Sequence, residues 1–359
     1  MIGERLKLAR EACGLSLRDL ESELDKLVSA QAIGKYERDE MMPGSAVLLA
    51  LAKALQVSPE YLLSARAVEL TGVDFRKAVH AATMEERAVS AKIIDHVERY
   101  LQLEELLDLP SETWKSPQGK AFDISSVEGA EAAAEELRKI WKIGSDPIPS
   151  LTELLEERGI KVAVEALPEA VFGSKAMVNR KVGMAVPVML VNSLHNGERQ
   201  RFTLAHELAH LILRPGPKMD DKAEEKAADR FGGAFLVPKD TLLREVGANR
   251  KEITLGELFA LKKLFLVSVA TIVVRCHQIE IITPSAYKRL WGELSELGFL
   301  KPPFKEPEPI SIEQPRRMER LCFRAVAEGA LSEAKAAELL KISVRELDRR
   351  LSAEAPRAA

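Results

Sequence analysis

The stretch Phe202–Leu213, FTLAHELAHLIL, sets His206, Glu207 and His210 in a run that is otherwise apolar except for Thr203. Its apolar residues recur at helical spacing, and residues four apart lie on one helix face a turn from each other, so the two imidazoles share a side. H-E-x-x-H on a helix is half of a zinc site. Two neutral imidazoles bind the metal at about 2.0–2.1 Å, and the glutamate can take a proton from water that the ion has made acidic. The competing reading is a helix that happens to carry two histidines. In so apolar a run those histidines would need buried partners, which the metal supplies.

A catalytic zinc takes a third protein ligand, and the next helix offers one. MDDKAEEKAADRFGGAFLVP, residues 219 to 238, carries Ala227, Ala228, Phe231 and Phe235 on its apolar side and acidic candidates at Glu224, Glu225 and Asp229. Spacing alone does not choose among them. Glu224 lies nearest the centre of the apolar arc, whereas Glu225 and Asp229 share a flank suited to a ligand and a carboxylate that orients a histidine. Upstream, SVEGAEAAAEELRKIWKI and PSLTELLEERG read as helices, and IKVAVEA, AVFGSKAMV and VPVMLVN as short strands. If the metal site serves a peptidase, VPVMLVN is expected to be an edge along which an extended substrate backbone lies.

The chain of 359 residues, 46% hydrophobic and 30% charged, has a globular composition long enough for two or three domains. Its apolar runs fall short of the roughly 18 residues of a spanning helix, and MIGERLKLAR is charged where a signal peptide would be apolar, so no membrane segment and a cytoplasmic location are expected. Cys13, Cys276 and Cys322 are far apart and fit neither a disulfide framework nor a CxxC metal knuckle. A net charge of -3 gives no global field for nucleic acid, so any DNA contact must be local.

Such a local signal opens the chain. Apolar residues Ile2, Leu6, Leu8 and Ala9 precede a break at Gly14; Ser16 then caps LRDLESEL, Ser29 caps AQAIGKYERDE, and VLLALAKALQV leads into SPEYLL. This succession resembles the Xre-type helix-turn-helix domain. The resemblance implies that the helix starting at Ser29 enters the major groove of an operator, with Ser29, Gln31 and Lys35 facing bases or phosphates. Two features depart from that pattern. Glu21 stands where the family has a small residue, and residues 1 to 64 hold 8 Lys/Arg against 10 Asp/Glu, so a lone head binds phosphate weakly and two heads are expected to act together.

TMEERAVSAKIIDHVERYLQLEELL, residues 83 to 107, reads as a long amphipathic helix with Thr83 and Glu86 as a capping box. Pairing with its copy in a homodimer and packing on the next domain are equally open. LPSETWKSPQGK (109 to 120) and the five-proline stretch KPPFKEPEPISIEQP (301 to 315) read as linkers. The final segment again reads as helix, break, helix and turn, with 10 Lys/Arg against 7 Asp/Glu from Pro315 to Ala359. It suits either a second DNA contact or a cap on the preceding domain. His80, His96, His195 and His277 lack ligand spacing.

RFTLAHELAHLIL followed by EKAADRFGGAFLVP resembles the ImmA/IrrE family of metallopeptidases over roughly residues 125 to 285, a domain often joined to an Xre-type head. Residue by residue, the resemblance puts the family's third zinc ligand on Glu225 and its Asn/Asp on Asp229, while Gly232 and Gly233 replace small alanines. The expected architecture is mainly α with a small β-sheet. It comprises an all-α head (1–65), a helical connector (66–120), an α+β zincin-like metallopeptidase domain (121–300) and a proline-rich linker with a helical end (301–359). The resemblance implies zinc held by His206, His210 and Glu225, Glu207 as general base, and a narrow protein substrate such as a repressor. A rival expectation is a DNA-binding repressor or antitoxin-like regulator whose zinc domain senses or scaffolds without turnover.

Overall fold

The computed structural model describes residues 2–64, 68–77, 83–109, 114, 117, 122–167, 171–180, 185–301 and 303–352. Most of the expected linker at 109–120, and His80, lie outside them. The fold is mainly α with small sheets, and no helix among the described residues is long and apolar enough to cross a membrane.

Five helices form the head: α1 (Ile2–Ala12), α2 (Leu17–Glu23), α3 (Ala30–Glu37), α4 (Ser45–Ala54) and α5 (Pro59–Leu63). Ser16, Ser29 and Ser58 cap α2, α3 and α5, each accepting from a backbone N–H of the first turn. Leu6, Leu20, Ile33, Leu51 and Leu62 are fully buried at its centre. Helices α1 and α3 cross so closely that a side chain on Gly3 would strike the Glu37 carbonyl, so only glycine fits there.

Strand β1 (Val68–Lys77) follows, inside the stretch expected to be a helical connector. It pairs antiparallel with β4, with register shifts between Thr71 and Asp74 and between Arg76 and Lys77. These irregularities break the period-two pattern by which a strand is read from sequence.

Helix α6 (Thr83–Leu106) then runs through the middle of the molecule. Ile93, Ile94, Val97 and Leu101 pack on the sheet with Ala176, Val178, Val188 and Leu190, while Tyr100, Leu103 and Leu107 pack on the C-terminal helices. Three of its carboxylates are ion-paired with neighbouring elements. Glu98 is ion-paired with Arg5 of α1, buried Glu104 with buried Lys161, and Asp95 with Lys341 of the C-terminal segment. Of the two open readings, packing within the chain is the one observed. Ile94 and Leu101, the residues that would form a homodimer seam, are core residues of this chain, and the described residues of α6 leave no apolar stripe for a second copy.

Beyond it come β2 (Phe122–Ile124), α7 (Gly129–Ile140), α8 (Leu151–Glu157), β3 (Lys161–Glu165), β4 (Val171–Arg180) and β5 (Val186–Asn192). Helix α9 (Gly197–Ile212) carries the opening motif, and β6 (Leu213–Pro215), α10 (Asp221–Leu236), α11 (Lys239–Val246), α12 (Leu255–Phe265), α13 (Val269–Gln278) and α14 (Pro284–Glu296) complete this region. The main sheet has the order β1-β4-β5-β3, antiparallel except for the β3–β5 pair, and β2 pairs with β6 in a small parallel ladder.

Strand β5 is interior, hydrogen-bonded to β4 on one side and β3 on the other. It cannot be the substrate edge expected of VPVMLVN; β1 and β3 are the edges. Val188 and Leu190 face α6, and Met189 and Val191 face α9. Two-sided burial explains why this strand reads as an unbroken apolar run.

The stretch at 301–315 also differs from its expected role as a linker. It is a strap tied to the start of α9: the N–H of Gly197 donates to the Ile310 carbonyl, Gln200 exchanges two hydrogen bonds with the Glu313 backbone, and Arg201 is ion-paired with Glu313. Fully buried Lys262 holds Glu198 and Glu306 together beneath it. A side chain on Gly197 would meet the carbonyls of Ile310 and Ser311 at 2.5 and 2.4 Å. The prolines that suggest a spacer instead suit a strap whose carbonyls and carboxylates do the bonding. After it, α15 (Arg317–Ala327), α16 (Glu333–Leu340) and α17 (Val344–Leu351) close over α6 through Met318, Leu321, Cys322 and Leu347.

Candidate metal centre

Helix α9 begins at Asn196, whose side chain accepts from the Arg199 N–H, and ends at Leu213, where the backbone becomes extended and enters β6. One side packs on β4 and β5 and the other on α10. The approach of α9 and α10 is close because small residues meet: Ala205 and Ala209 against Ala228 and Gly232, all buried. A Cβ on Gly232 would lie 3.4 Å from the His206 nitrogen, an ordinary contact, so an alanine fits here as well.

This packing sets α10's acidic flank beside the two histidines. Nε2 of His206 and Nε2 of His210 are 3.3 Å apart. The Glu225 carboxylate places Oε2 3.6 Å from His206 Nε2 and Oε1 3.9 Å from His210 Nε2. One ligand atom from each of the three lies within 4.8 Å of the others, and His206, His210 and Glu225 form the single such group of three among the described residues. Glu224, the alternative nearest the apolar arc, is not in it.

The second carboxylate of that flank takes a different position. Asp229 Oδ1 is 2.7 Å from His206 Nδ1, so this ring donates from Nδ1 and keeps its Nε2 lone pair for the side shared with His210 and Glu225. Glu207 is fully buried on the next position of α9. Asp229 and Glu225 remain more than half exposed, so the site opens to solvent on the α10 side.

The geometry suits a tetrahedral ion. Four ligands at about 2.0 Å stand about 3.3 Å from one another, the spacing of the two imidazole nitrogens. Two nitrogen donors and one carboxylate leave a fourth position for water or substrate, as in catalytic rather than structural zinc sites. Sequence reasoning overlooked two neighbours. Lys175 of β4 donates to the His210 carbonyl at 3.1 Å, beyond that helix's own bonding, and Arg199 of α9 lies over the Phe172 ring with its Cζ 4.0 Å from the centroid. No spacing rule marks either, because each depends on how β4 meets α9.

In the head, Gln31 and Lys35 are exposed on α3. Ser29 is also exposed, and its hydroxyl accepts from the Ala32 N–H as the cap of α3. The three lie on or immediately before the same helix.

Comparison with known families agrees with both regions. Residues 155–277 match the model of the IrrE N-terminal-like domain, a peptidase family, and residues 6–62 match the helix-turn-helix model. No curated protein matches the chain. The helix-turn-helix match supports DNA binding, and the peptidase match spans β3, β4, β5, α9 and α10, the elements that build the histidine–glutamate cluster. The chain is thus a fusion of an Xre-type helix-turn-helix domain with an IrrE N-terminal-like domain of the ImmA/IrrE family.

Proposed function

We propose that the chain is a zinc-dependent endopeptidase that acts in transcription regulation by cleaving a specific regulatory protein, such as a repressor, while its head engages an operator. The observation that carries this reading is the convergence of His206, His210 and Glu225 with Asp229 behind His206. In this reading His206, His210 and Glu225 hold the ion, and Asp229 fixes the tautomer and orientation of His206. A zinc ion there supplies Lewis acidity, polarising a peptide carbonyl and making water a nucleophile at neutral pH. Glu207 accepts the proton of the attacking water and returns it to the leaving amine. The buried alanines and leucines of α9 fix the rotamers of the polar residues.

The unit that performs this chemistry extends beyond the expected 121–300, because β1 supplies an edge of its sheet and α6 covers one sheet face. The head's negative balance supports two heads on a two-fold operator, but any homodimer must use a surface other than α6. The test is incubation of the zinc-loaded chain with repressors encoded beside its gene. Parent protein is expected to cut one of them at a defined bond, and Glu207→Gln, with zinc content unchanged, is expected to cut none. If neither cuts while operator binding still responds to zinc, the sensor reading replaces this one.

A further inference from the structure

The face of α9 that carries His206 and His210 continues towards the N-terminus through Phe202 and Arg199, and there it borders a cavity of about 290 Å³. Its walls include Arg199, Phe202, Thr271, Gln278, Trp291 and Phe299. Four aromatic rings, Phe304 being the fourth, give it an apolar body, and of its two guanidiniums that of Arg199 offers it a charge.

That charge is unspent. Glu198 and Glu306, which also line the cavity, are both held by Lys262. Arg275 is bound by Glu131, and Asp229 faces His206 Nδ1. Among the described residues, Arg199 has no ion pair. Its Nε is buried without a hydrogen-bond partner, and the Phe172 ring beneath it fixes its plane. Burial lowers its pKa, with Asp229 acting in the opposite sense. A half-buried guanidinium with no ion pair among the described residues and an unbonded Nε costs stability unless something outside the chain completes it, and its planar fork matches a carboxylate.

We infer that this cavity binds a carboxylate carried on an aromatic or branched apolar group, with Arg199 taking the carboxylate and Phe202, Trp291 and Phe299 the apolar body. Two sources present this chemistry: a free acid of about ten heavy atoms, or the terminal residue of a peptide. Arg199 and His206 are seven residues apart, about 10 Å along the helix, which about three extended residues span. The inference does not rest on the peptidase reading, because binding is measured with neither metal nor turnover.

The full chain is titrated, by calorimetry and by tryptophan fluorescence, with phenylacetate and phenylacetamide, and with a tripeptide ending in phenylalanine as free acid and as amide. At least one acid is expected to bind saturably at one site per chain, in about the millimolar range for so small a ligand. Its amide is expected to bind at least about tenfold more weakly. Arg199→Gln is expected to fall to the amide's level, and Thr271→Trp, which fills the cavity, to abolish binding. Saturation by phenylacetate assigns a free acid as the source; saturation by the tripeptide acid alone assigns a peptide. The inference is overturned if neither acid saturates, if acid and amide bind alike, or if folded Arg199→Gln binds the acid as the parent does. Should Arg199→Gln fail to fold, the acid–amide comparison on the parent decides.

Discussion

Replacing Asp229 by alanine isolates the contribution of the carboxylate behind His206. The 2.7 Å contact to Nδ1 holds this imidazole in the tautomer whose Nε2 lone pair faces His210 and Glu225. Without it the ring is free to adopt the other tautomer and to rotate, so each binding event must first order it. Carboxylates in this position contribute about ten- to a hundredfold in metal affinity, equivalent to about 1.4–2.7 kcal/mol. Asp229 is more than half exposed on α10, so its truncation opens no core cavity, and the metal-free variant is expected to unfold at the parent's temperature. Competition for zinc against a chromophoric chelator at fixed pH measures the effect, since metal affinity itself varies with proton concentration. Glu225→Ala, which removes a ligand, is expected to lose more than Asp229→Ala, and Glu224→Ala to lose nothing. Zinc affinity of Asp229→Ala within twofold of the parent would refute the assignment, as would a loss of equal size in Glu224→Ala.

Other measurements address the head and the central helix. Lys35→Ala is expected to weaken operator binding and reduce the slope of log affinity against log salt by about one, as read by gel shift at several salt concentrations, whereas Gln31→Ala changes base preference and leaves the slope alone. Glu104→Gln strands the ammonium of Lys161 in the interior and is expected to cost about 3–5 kcal/mol in denaturant unfolding; a cost below about 1 kcal/mol contradicts the pairing. Burial pushes the Glu156 carboxyl up from 4.5 to about 7, where it accepts from the Arg317 N–H and the Tyr100 hydroxyl. Because the folded pKa lies above the unfolded one, this group's stabilisation is present at acid pH and is lost as pH rises towards 7. Parent stability is therefore expected to fall by up to about 3 kcal/mol between pH 4.5 and 7.5 relative to Glu156→Gln, and parallel pH profiles would rule the shift out.

The candidate metal site was legible because its chemistry is local: three polar residues at fixed spacing on one helix, with acids on the next. The head was legible for the same reason, since Ser16 and Ser29 mark helix starts whatever the rest of the chain does. What escaped depends on partners distant in sequence. Nothing in VPVMLVN says whether a neighbour strand lies on one side or two, and β1 hides its pattern behind bulges. The periodicity of 83–107 reveals an apolar face but not that α1, the sheet and α15 surround it. In 301–315 the prolines signal an absence of helix, which the strap shares with a spacer; only buried Glu306 and half-buried Glu313 and their basic partners distinguish the two.

The central position of α6 also governs the order in which the chain can fold during synthesis. Its sheet partners in β4 and β5 emerge about eighty residues after it, and its last partner, α17, about 240 residues after it; at 5–20 residues per second that is a wait of roughly 10–50 s. The head completes its own core within 64 residues and can fold at once, but the helix immediately behind it keeps Ile93, Ile94 and Val97 uncovered until β4 and β5 emerge, and Tyr100 and Leu103 until the C-terminal helices do. Long-range closure of this kind slows folding and leaves a sticky intermediate. A nascent chain stalled near residue 110 therefore consists of a finished DNA-binding head with an adhesive tail, and is the form in which this protein depends most on chaperones.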